Sequence, residues 1–238
     1  MKILILAESG FGKTTSIGPI PELGIKGLDS KKTFIITCTN KGLPIPGWKS
    51  KYILADPTKG TGNLVTNAAK FPDKIPNIIN FAAGRQDIEN IILDDANYIM
   101  QDHYMSKAMT TGFDVFKKIG WFMGTIFNAM DSISNEKNFI MMAHHEEFKN
   151  SNLDTISFRF KTVGKMVQDY STPEGKFEVV LFGKQRIIET DGVKGIEKLF
   201  VTNFDGQFPA KSPYGMFKDI YIPNDLGLVI DTVNKFAI

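Results

Sequence analysis

The chain contains little cysteine and little arginine, and it lacks long apolar runs. Cys38 is the only cysteine among 238 residues, so no disulfide can form within the chain, and we expect a reducing, cytoplasmic compartment. The only arginines are Arg85, Arg159 and Arg186. No run approaches the ~18 apolar residues that a membrane span requires. A strand pattern begins directly after Met1, which leaves no room for a secretory signal, and we therefore expect no membrane association.

The net charge of the chain is also small. The 28 basic and 26 acidic side chains leave a net charge of +2, which by itself does not indicate a nucleic-acid-binding protein. A hydrophobic fraction of 42% is ordinary for a globular protein, and the length suits one large domain. We therefore treat residues 1–238 as a single domain.

The strongest motif lies at the start of the chain. The apolar run Ile3–Leu6 predicts a buried strand, and a glycine-bearing loop, Ala7–Thr15, follows it. The loop ends in Gly-Lys-Thr, the pattern of loops that bind phosphate, although Ala7 replaces the usual first glycine. A chance glycine-rich turn is the alternative, but the preceding strand and following helix favour phosphate binding. The predicted nucleotide-binding residues are Ser9, Gly10, Phe11, Gly12, Lys13, Thr14 and Thr15.

Each residue type in the loop has a chemical role. Gly10 and Gly12 allow the backbone to curl so that its N–H groups point at phosphate oxygens. Lys13 is expected to contact the β- and γ-phosphates of ATP, and the Thr14 hydroxyl to ligate Mg²⁺. A short helix from Thr14, stopped near Gly18, is expected to add the positive end of its dipole.

A second motif follows about eighty residues later. Ile88–Leu93 predicts a strand that ends in two carboxylates, Asp94 and Asp95. In phosphate-loop ATPases the strand beside the loop ends in an acid that holds Mg²⁺ through water. We therefore predict that Asp94 binds the metal and that Asp95 orients or deprotonates the attacking water. Considered alone, the two acids also fit an ordinary acidic turn.

The apolar strand 138–143 ends at His144, where folds of this class carry a polar group that senses the γ-phosphate. A surface loop and a metal site are the alternatives, and the metal site is disfavoured because no cysteine is available nearby. The region 148–164 reads as a mobile basic loop before a short helix, 165–170. Its basic residues and the one that follows are Lys149, Arg159, Lys161 and Lys165, and two interpretations stay open: a solvated surface loop, or a loop whose cations contact DNA.

The remaining segments complete an alternating pattern. Residues 32–38 and 177–182 predict strands, and 186–189 and 198–201 predict a hairpin around the turn 191–192. Helical periodicity covers 63–71, 75–83 and 98–134, the last with a break at 110–114, and also the tail 226–236. Residues 52–54 have the composition of a short strand.

These motifs together resemble the phage-encoded ATP-binding proteins of the RecA-like ATPase class, which include phage single-strand annealing ATPases. The resemblance covers nearly the whole chain. The segments that carry it are 7–15, 32–36, 91–95, 143–144, 162–166 and 210–217. The late segment Ala210–Phe217, which follows a hairpin, is the most particular of them.

The resemblance implies a three-layer αβα fold of the phosphate-loop NTPase type, RecA-like, with a mainly parallel central sheet and a C-terminal hairpin. It also implies Mg²⁺-dependent ATP hydrolysis by a homo-oligomer on single-stranded DNA, in recombination, annealing or replication. In such assemblies a cation from the neighbouring subunit often completes the site, and Lys211 is the candidate here. If the protein is phage-encoded, its compartment is the host cytoplasm.

The chain departs from the family pattern at one position. RecA-like proteins commonly carry a catalytic glutamate after the second strand, but Thr37–Lys41 contains no acid. The base role would then fall to Asp95, or hydrolysis would be inefficient. An interaction module switched by nucleotide, such as a loader or packaging accessory, remains open for this reason. A small-molecule kinase is disfavoured, because the chain has no arginine cluster to form a lid.

Overall fold

The computed structural model describes residues 1–109, 112–150, 155–190 and 192–237. Three features predicted from the sequence fall partly outside these ranges. The helix break includes residues 110–111, the basic stretch includes 151–154, and the late turn includes Asp191, all of which lie outside the described residues.

Strands and helices alternate along the first two thirds of the described chain. The strands are β1 (Lys2–Leu6), β2 (Thr33–Thr37), β3 (Leu64–Val65), β4 (Asn90–Asp94), β5 (Asn138–Ala143), β6 (His145–Asn150), β7 (Thr155–Phe160), β8 (Val179–Thr190), β9 (Val193–Val201) and β10 (Tyr221–Pro223). The α-helices are α1 (Trp48–Lys51), α2 (Ile75–Gly84), α3 (Asn97–Ser106), α4 (Asp114–Asp131), α5 (Met166–Ser171) and α6 (Leu226–Phe236). Short 3₁₀ turns occupy 14–17, 21–23, 30–32, 68–70, 72–74 and 173–176.

Eight strands form one sheet in the order β10-β9-β8-β1-β5-β4-β2-β3. The six strands from β8 to β3 run parallel, whereas β9 pairs antiparallel with β8 and β10 antiparallel with β9. Parallel strands with both faces covered are the mark of α/β architecture. This order confirms the predicted three-layer fold with a mainly parallel sheet and a C-terminal hairpin.

The central strands are apolar because both faces of the sheet are covered. Every residue of β1 and β5 is buried. Alternate side chains enter different cores: Leu4 and Leu6 join one apolar cluster, and Ile3 and Ile5 join the other. This alternation follows from the two-residue period of a strand.

The first core contains the apolar faces of α2, α3 and α4. In α4 these side chains recur at three- and four-residue steps, as the sequence predicted, from Ile119 to Met130. The second core contains the apolar face of α6 together with irregular segments around Ile17 and Ile45. None of the helices in the described ranges is long and apolar enough to cross a bilayer.

The basic stretch after β5 is a β-ribbon, not the predicted loop. Strands β6 and β7 pair antiparallel, from His145 opposite Phe160 to Asn150 opposite Thr155. The ribbon is fastened by aromatic packing, since Phe158 and Phe160 are buried in the first core. Ile156, Phe158 and Phe160 alternate with Ser157 and Arg159, which is a strand pattern that was available in the sequence but was interpreted as part of a basic loop.

The segment 63–71 is likewise not the predicted helix. It begins with the two-residue strand β3 and ends in a 3₁₀ turn, and the predicted strand at 52–54 is reduced to a bridge between Leu54 and Leu64. The Asn63 side chain explains this path. It donates to Ser30 O at 2.7 Å and accepts from the Ile53 N–H at 2.8 Å, which draws three chain segments together.

Candidate functional site

The phosphate loop lies at the carboxyl end of β1. Gly10 and Gly12 have φ angles of +80° and +100°, a backbone region that favours glycine. At Gly12 a Cβ atom would also stand only 3.1 Å from Asn224 Nδ2. The Phe11 side chain, by contrast, is buried in the second core, so only its backbone faces the loop. A curled loop with inward N–H groups follows from this geometry.

The segment after the loop has the predicted bounds, but it is a 3₁₀ turn and not an α-helix. Thr14–Ile17 forms a single 3₁₀ turn, and the chain then leaves at Gly18 and Pro19. A turn of four residues sums few peptide dipoles, so the predicted contribution of a helix N-terminus is reduced. Gly18 has no room for a side chain because Ile45 fills the space at 2.3 Å from its Cβ position. The groups at this position that could bind an anion are therefore chiefly the loop amides and Lys13.

Lys13 is almost fully buried, at 5% exposure. Its Nζ donates to Ala7 O at 2.9 Å and to Glu8 O at 3.1 Å. Burial lowers the pKa of Lys13, and the nearby carboxylates of Asp95 and Asp94 partly oppose that shift. The ammonium group is thus held at the loop with carboxylates close by and with few ties to water.

Asp94 ends β4, which is not the strand next to β1. Strand β5 lies between them, so the expectation that the acid follows the strand beside the loop is corrected to the next strand but one. The acid nevertheless reaches the loop, since Thr14 Oγ1 donates to Asp94 Oδ2 at 2.8 Å. The carboxyl ends of parallel strands share one edge of the sheet, which explains how these distant residues meet.

The second oxygen of Asp94 is buried without a hydrogen-bond partner. Burial, and then the charge of Asp95, raise the pKa of Asp94 to about 7, against the effect of the Thr14 hydrogen bond. Such an orphaned carboxylate oxygen next to a hydroxyl fits Mg²⁺, which prefers oxygen ligands and keeps several waters. Thr14 and Asp94 would hold the ion.

His144 connects Lys13 with Asp95. Its Nδ1 lies 3.3 Å from Lys13 Nζ and 3.1 Å from Ala7 O, and its Nε2 lies 3.8 Å from Asp95 Oδ1. Burial and the Lys13 charge lower the pKa of His144, which favours the neutral ring. Asp95 has a φ of +59°, a conformation unusual for a residue other than glycine. The structure thus brings together the predicted cation, base and sensor.

Asn97 was missed by the sequence analysis. It is fully buried at the start of α3, where its Oδ1 accepts from the His144 N–H and its Nδ2 donates to Lys161 O. Lys161 N in turn donates to His144 O at 2.9 Å. Asn97 therefore fixes the end of β5 and the base of the β6–β7 ribbon. Its position three residues after Asp94 was the only available signal.

Lys198, on β9, and Asn224, directly after β10, were also missed, because they lie late in the chain. Lys198 Nζ donates to Gly10 O at 2.9 Å, and Asn224 Nδ2 donates to Gly12 O at 3.1 Å. Both carbonyls belong to the phosphate loop. No local pattern in the sequence marks these contacts, since the partners are 188 and 212 residues apart.

The loop, β2 and β4 enclose a cleft of about 360 Å³. Its polar side chains come from the loop, from the end of β2, from β4 and from two late or distant segments: Ser9, Lys13, Thr14, Thr15, Thr37, Thr39, Lys41, Asp94, Asp95, Tyr98, His144 and Lys198. The segment after β2 supplies Lys41, with its Nζ 5.7 Å from the centre of the Tyr98 ring. No acid from that segment lines the cleft in the described chain.

A second recess, of about 510 Å³, adjoins the first and shares Gly12, Thr15 and Lys198 with it. Its other walls are largely apolar and include Leu23, Ile25, Ile188, Ile196 and Pro223. Ile196 is 64% exposed, which is high for an isoleucine beside a polar loop. We refer to these two adjacent recesses together as the groove; its first half carries most of the charged side chains, and its second half is more apolar.

Comparison with known proteins adds little to this geometry. No family model matches the chain, and no curated protein matches it in sequence. Among solved structures, the flagellar accessory protein FlaH from Methanocaldococcus jannaschii is similar, with a TM-score of 0.41 and 12% identity over 87% of this chain and 78% of that chain. The fold assignment rests on the strand order of the sheet.

The remaining predicted site residues lie outside the cleft. Lys211 is exposed and pairs through its backbone with Val180 in β8. Its predicted role is in a neighbouring subunit, so it stays a prediction. The described residues contain no group of three or more His, Cys, Asp or Glu arranged to hold a metal. A Mg²⁺ ion held by Thr14, Asp94 and waters does not require one.

The basic residues expected to contact DNA do not share one surface. The ribbon register puts Lys149 and Arg159 on opposite faces. Arg159 donates to Glu146 at 2.9 Å and lies 4.9 Å from the Phe148 ring centre, so its charge is partly compensated. Lys161 and Lys165 are exposed and follow the ribbon.

The buried carboxylate gives a pH prediction. Because the native state raises the Asp94 pKa from 3.8 to about 7, it binds the proton more tightly than the unfolded chain does. The free energy of unfolding should therefore fall as pH rises through this window and level off above it. The Asp94→Asn variant has no carboxyl at this position, so its free energy of unfolding should not fall in this way. Its stability relative to wild type should therefore increase from pH 4 to pH 8.

Urea unfolding without nucleotide or Mg²⁺ measures the difference. Asp87→Asn is a control in which the effect has the opposite sign. The hydrogen bond from Arg85 lowers the pKa of exposed Asp87, so this variant should be slightly less stable than wild type at higher pH. If the free energies of unfolding of wild type and Asp94→Asn differ by the same amount at every pH, Asp94 does not have the raised pKa.

Proposed function

We propose that the protein is a Mg²⁺-dependent ATP-binding protein that hydrolyses ATP. The observation that carries the proposal is the Thr14–Asp94 hydrogen bond, which joins the phosphate loop to the acidic strand end beside buried Lys13. A cation for phosphate, a hydroxyl and carboxylate for Mg²⁺, and backbone N–H groups thereby line one cleft. That combination suits a nucleoside triphosphate and has no evident use in a purely structural protein.

The shape of the groove supports binding of a whole nucleotide. Phosphates in the polar half would leave the nucleoside directed at the recess that shares Gly12 and Thr15. Its apolar walls, with Ile188 and Ile196 on the hairpin, suit the faces of a base. When bound, Mg²⁺ would neutralise phosphate charge, while Lys13 and the loop amides orient the triphosphate.

Asp95 is the proposed base for water. It lines the cleft next to Asp94, and no acid follows β2 to take that role. Neutral His144 lies between Asp95 and Lys13, so it is placed to respond to the terminal phosphate. Asp95 would accept a proton from the attacking water, or orient it, as the bond to the γ-phosphate breaks.

Asp95→Asn tests this role. Asparagine tolerates positive φ well, so the backbone at +59° should be kept while the base is lost. We expect Mg·ATP affinity within about twofold of wild type and a turnover reduced by about 10²-fold or more. Phosphate release and calorimetric titration measure the two quantities. Normal turnover in Asp95→Asn would exclude Asp95 as the base.

A nucleotide-switched interaction module is the second candidate. The absence of an acid after β2 favours it, since that segment then supplies no base for hydrolysis. The same assay separates the candidates. Tight ATP binding by the wild-type protein with no turnover, alone or with single-stranded DNA, would support the module.

We further propose that the protein acts as a homo-oligomer on single-stranded DNA, in phage recombination, single-strand annealing or replication. The support is the connection between His144 and Lys161 through backbone and Asn97 contacts, which ties the γ-phosphate side of the cleft to exposed cations. Lys161 and Lys165 are the principal candidates, with Lys149 and Arg159 on the ribbon as secondary ones. In an oligomer, Lys211 would reach the neighbouring cleft.

The DNA contact is tested with Lys161→Ala, Lys165→Ala. If both cations touch phosphates, single-strand affinity should fall, and the slope of log affinity against log salt should decrease by about 1.4 units. Fluorescence anisotropy across a salt series, with ATP present, measures this slope.

The control is Lys31→Ala, Lys176→Ala. This double variant also removes two positive charges. Both residues lie just before the amino ends of β2 and β8, at the opposite end of the strands from the cleft. An identical slope in the wild type and the Lys161, Lys165 variant would remove these residues from a DNA site. Absence of binding by the wild-type protein would favour the interaction module.

A further inference from the structure

Lys198 is a cation at the rim of the phosphate cleft without a matching carboxylate. It lies on β9 and lines both halves of the groove. Among the described residues its side chain makes one hydrogen bond, to Gly10 O at 2.9 Å. The adjacent carboxylate, Glu197, is engaged by Arg186 across the hairpin. A lysine without an acidic partner, beside a loop suited to anions, is available for an anionic ligand.

The backbone around Lys198 is held in place. Asn224 N donates to Lys198 O at 3.2 Å, and the Asn224 side chain donates to Gly12 O at 3.1 Å. Lys198 Nζ lies 3.7 Å from the point where a Cβ of Gly12 would stand. The ammonium group is therefore beside the part of the loop that connects the phosphate and nucleoside halves of the groove.

The present partner of Lys198 is weaker than the one the ligand would bring. A backbone carbonyl is neutral, whereas a phosphate oxygen carries charge, and charge-assisted hydrogen bonds are about twice as strong. A flexible lysine side chain can exchange one oxygen for the other with little rearrangement of the strand. Its counterpart on the hairpin, Lys184, lacks this freedom because Asp205 holds it at 2.8 Å.

We propose that Lys198 is a second phosphate-binding cation, supplied by the C-terminal hairpin of the same chain, which leaves Gly10 O to contact the polyphosphate of the bound nucleotide. The inference rests on the proposed nucleotide-binding function and adds a residue to it. It also gives the antiparallel extension β8–β9 a role, since the hairpin would complete the phosphate site opposite Lys13.

The experiment measures binding of Mg·ATP and of inorganic tripolyphosphate by calorimetry to wild type, Lys198→Met, Lys198→Gln and Lys198→Arg. We expect Lys198→Met and Lys198→Gln to weaken both ligands about tenfold or more and to reduce the salt dependence of binding, while Lys198→Arg retains most of the affinity. Tripolyphosphate has no base or sugar, so weaker binding of tripolyphosphate by the variants would assign the Lys198 contact to phosphate. Lys194→Met, on the same strand, is the matched control and should bind as wild type.

Glutamine separates ligand binding from loop support, because it keeps a donor for Gly10 O but carries no charge. Wild-type affinity in Lys198→Gln would mean that Lys198 only positions the loop, and the proposal would be overturned. If the wild-type protein binds neither ligand, the nucleotide-binding function itself fails, which is a different result.

A measurement on the unaltered protein guards against variants that do not fold. Lysine acetylation read by mass spectrometry should be slowed at Lys198 by tripolyphosphate and unchanged at Lys194. Equal acetylation of Lys198 with and without tripolyphosphate, under conditions where the ligand binds, would contradict the contact.

Discussion

The hydrogen bond from the Thr14 hydroxyl to Asp94 is the constraint on which the site depends. It joins the phosphate loop to a strand two positions away in the sheet, across the end of β5. The bond leaves one carboxylate oxygen of Asp94 buried without a partner, and the pKa near 7 is the cost of that burial. A divalent cation would relieve the cost. The apolar strands therefore hold a buried polar arrangement of the kind that a bound divalent cation would stabilise.

The two layers that cover the sheet differ in regularity. The helices α2–α4 form a regular apolar layer, whereas the layer that supports the phosphate loop is built from short turns and α6. The loop is consequently secured by side chains from distant strands. Lys198 and Asn224 donate to two of its carbonyls, and Gly183 of β8 leaves room for it, since a Cβ there would stand 2.5 Å from Ala7 Cβ. The C-terminal hairpin is thus part of the site and not an appendage.

The sequence predicted the parts that depend on local order. Buried parallel strands are continuous apolar runs, so β1, β4 and β5 could be recognised with their terminal residues Asp94 and His144. The β6–β7 ribbon was not predicted, although Ile156, Phe158 and Phe160 alternate as in a strand, because the charges around them were interpreted as a loop. The 3₁₀ form of the segment after Thr14 was not predicted either, and Ile45, which fills the space at Gly18, comes from a distant segment. Asn97, Lys198 and Asn224 could not be predicted, because their roles arise from contacts between segments that pair only in the folded sheet.

The central claim is that this cleft binds Mg·ATP through Lys13. The most direct measurement is a calorimetric titration of wild type and Lys13→Ala with Mg·ATP, with circular dichroism to verify that both are folded. Lys13 is the buried side-chain cation of the phosphate loop, so we expect saturable binding by wild type and a loss of affinity of about 10²-fold or more in the variant. Equal affinity in the two proteins would contradict the claim, since the nucleotide would then bind elsewhere.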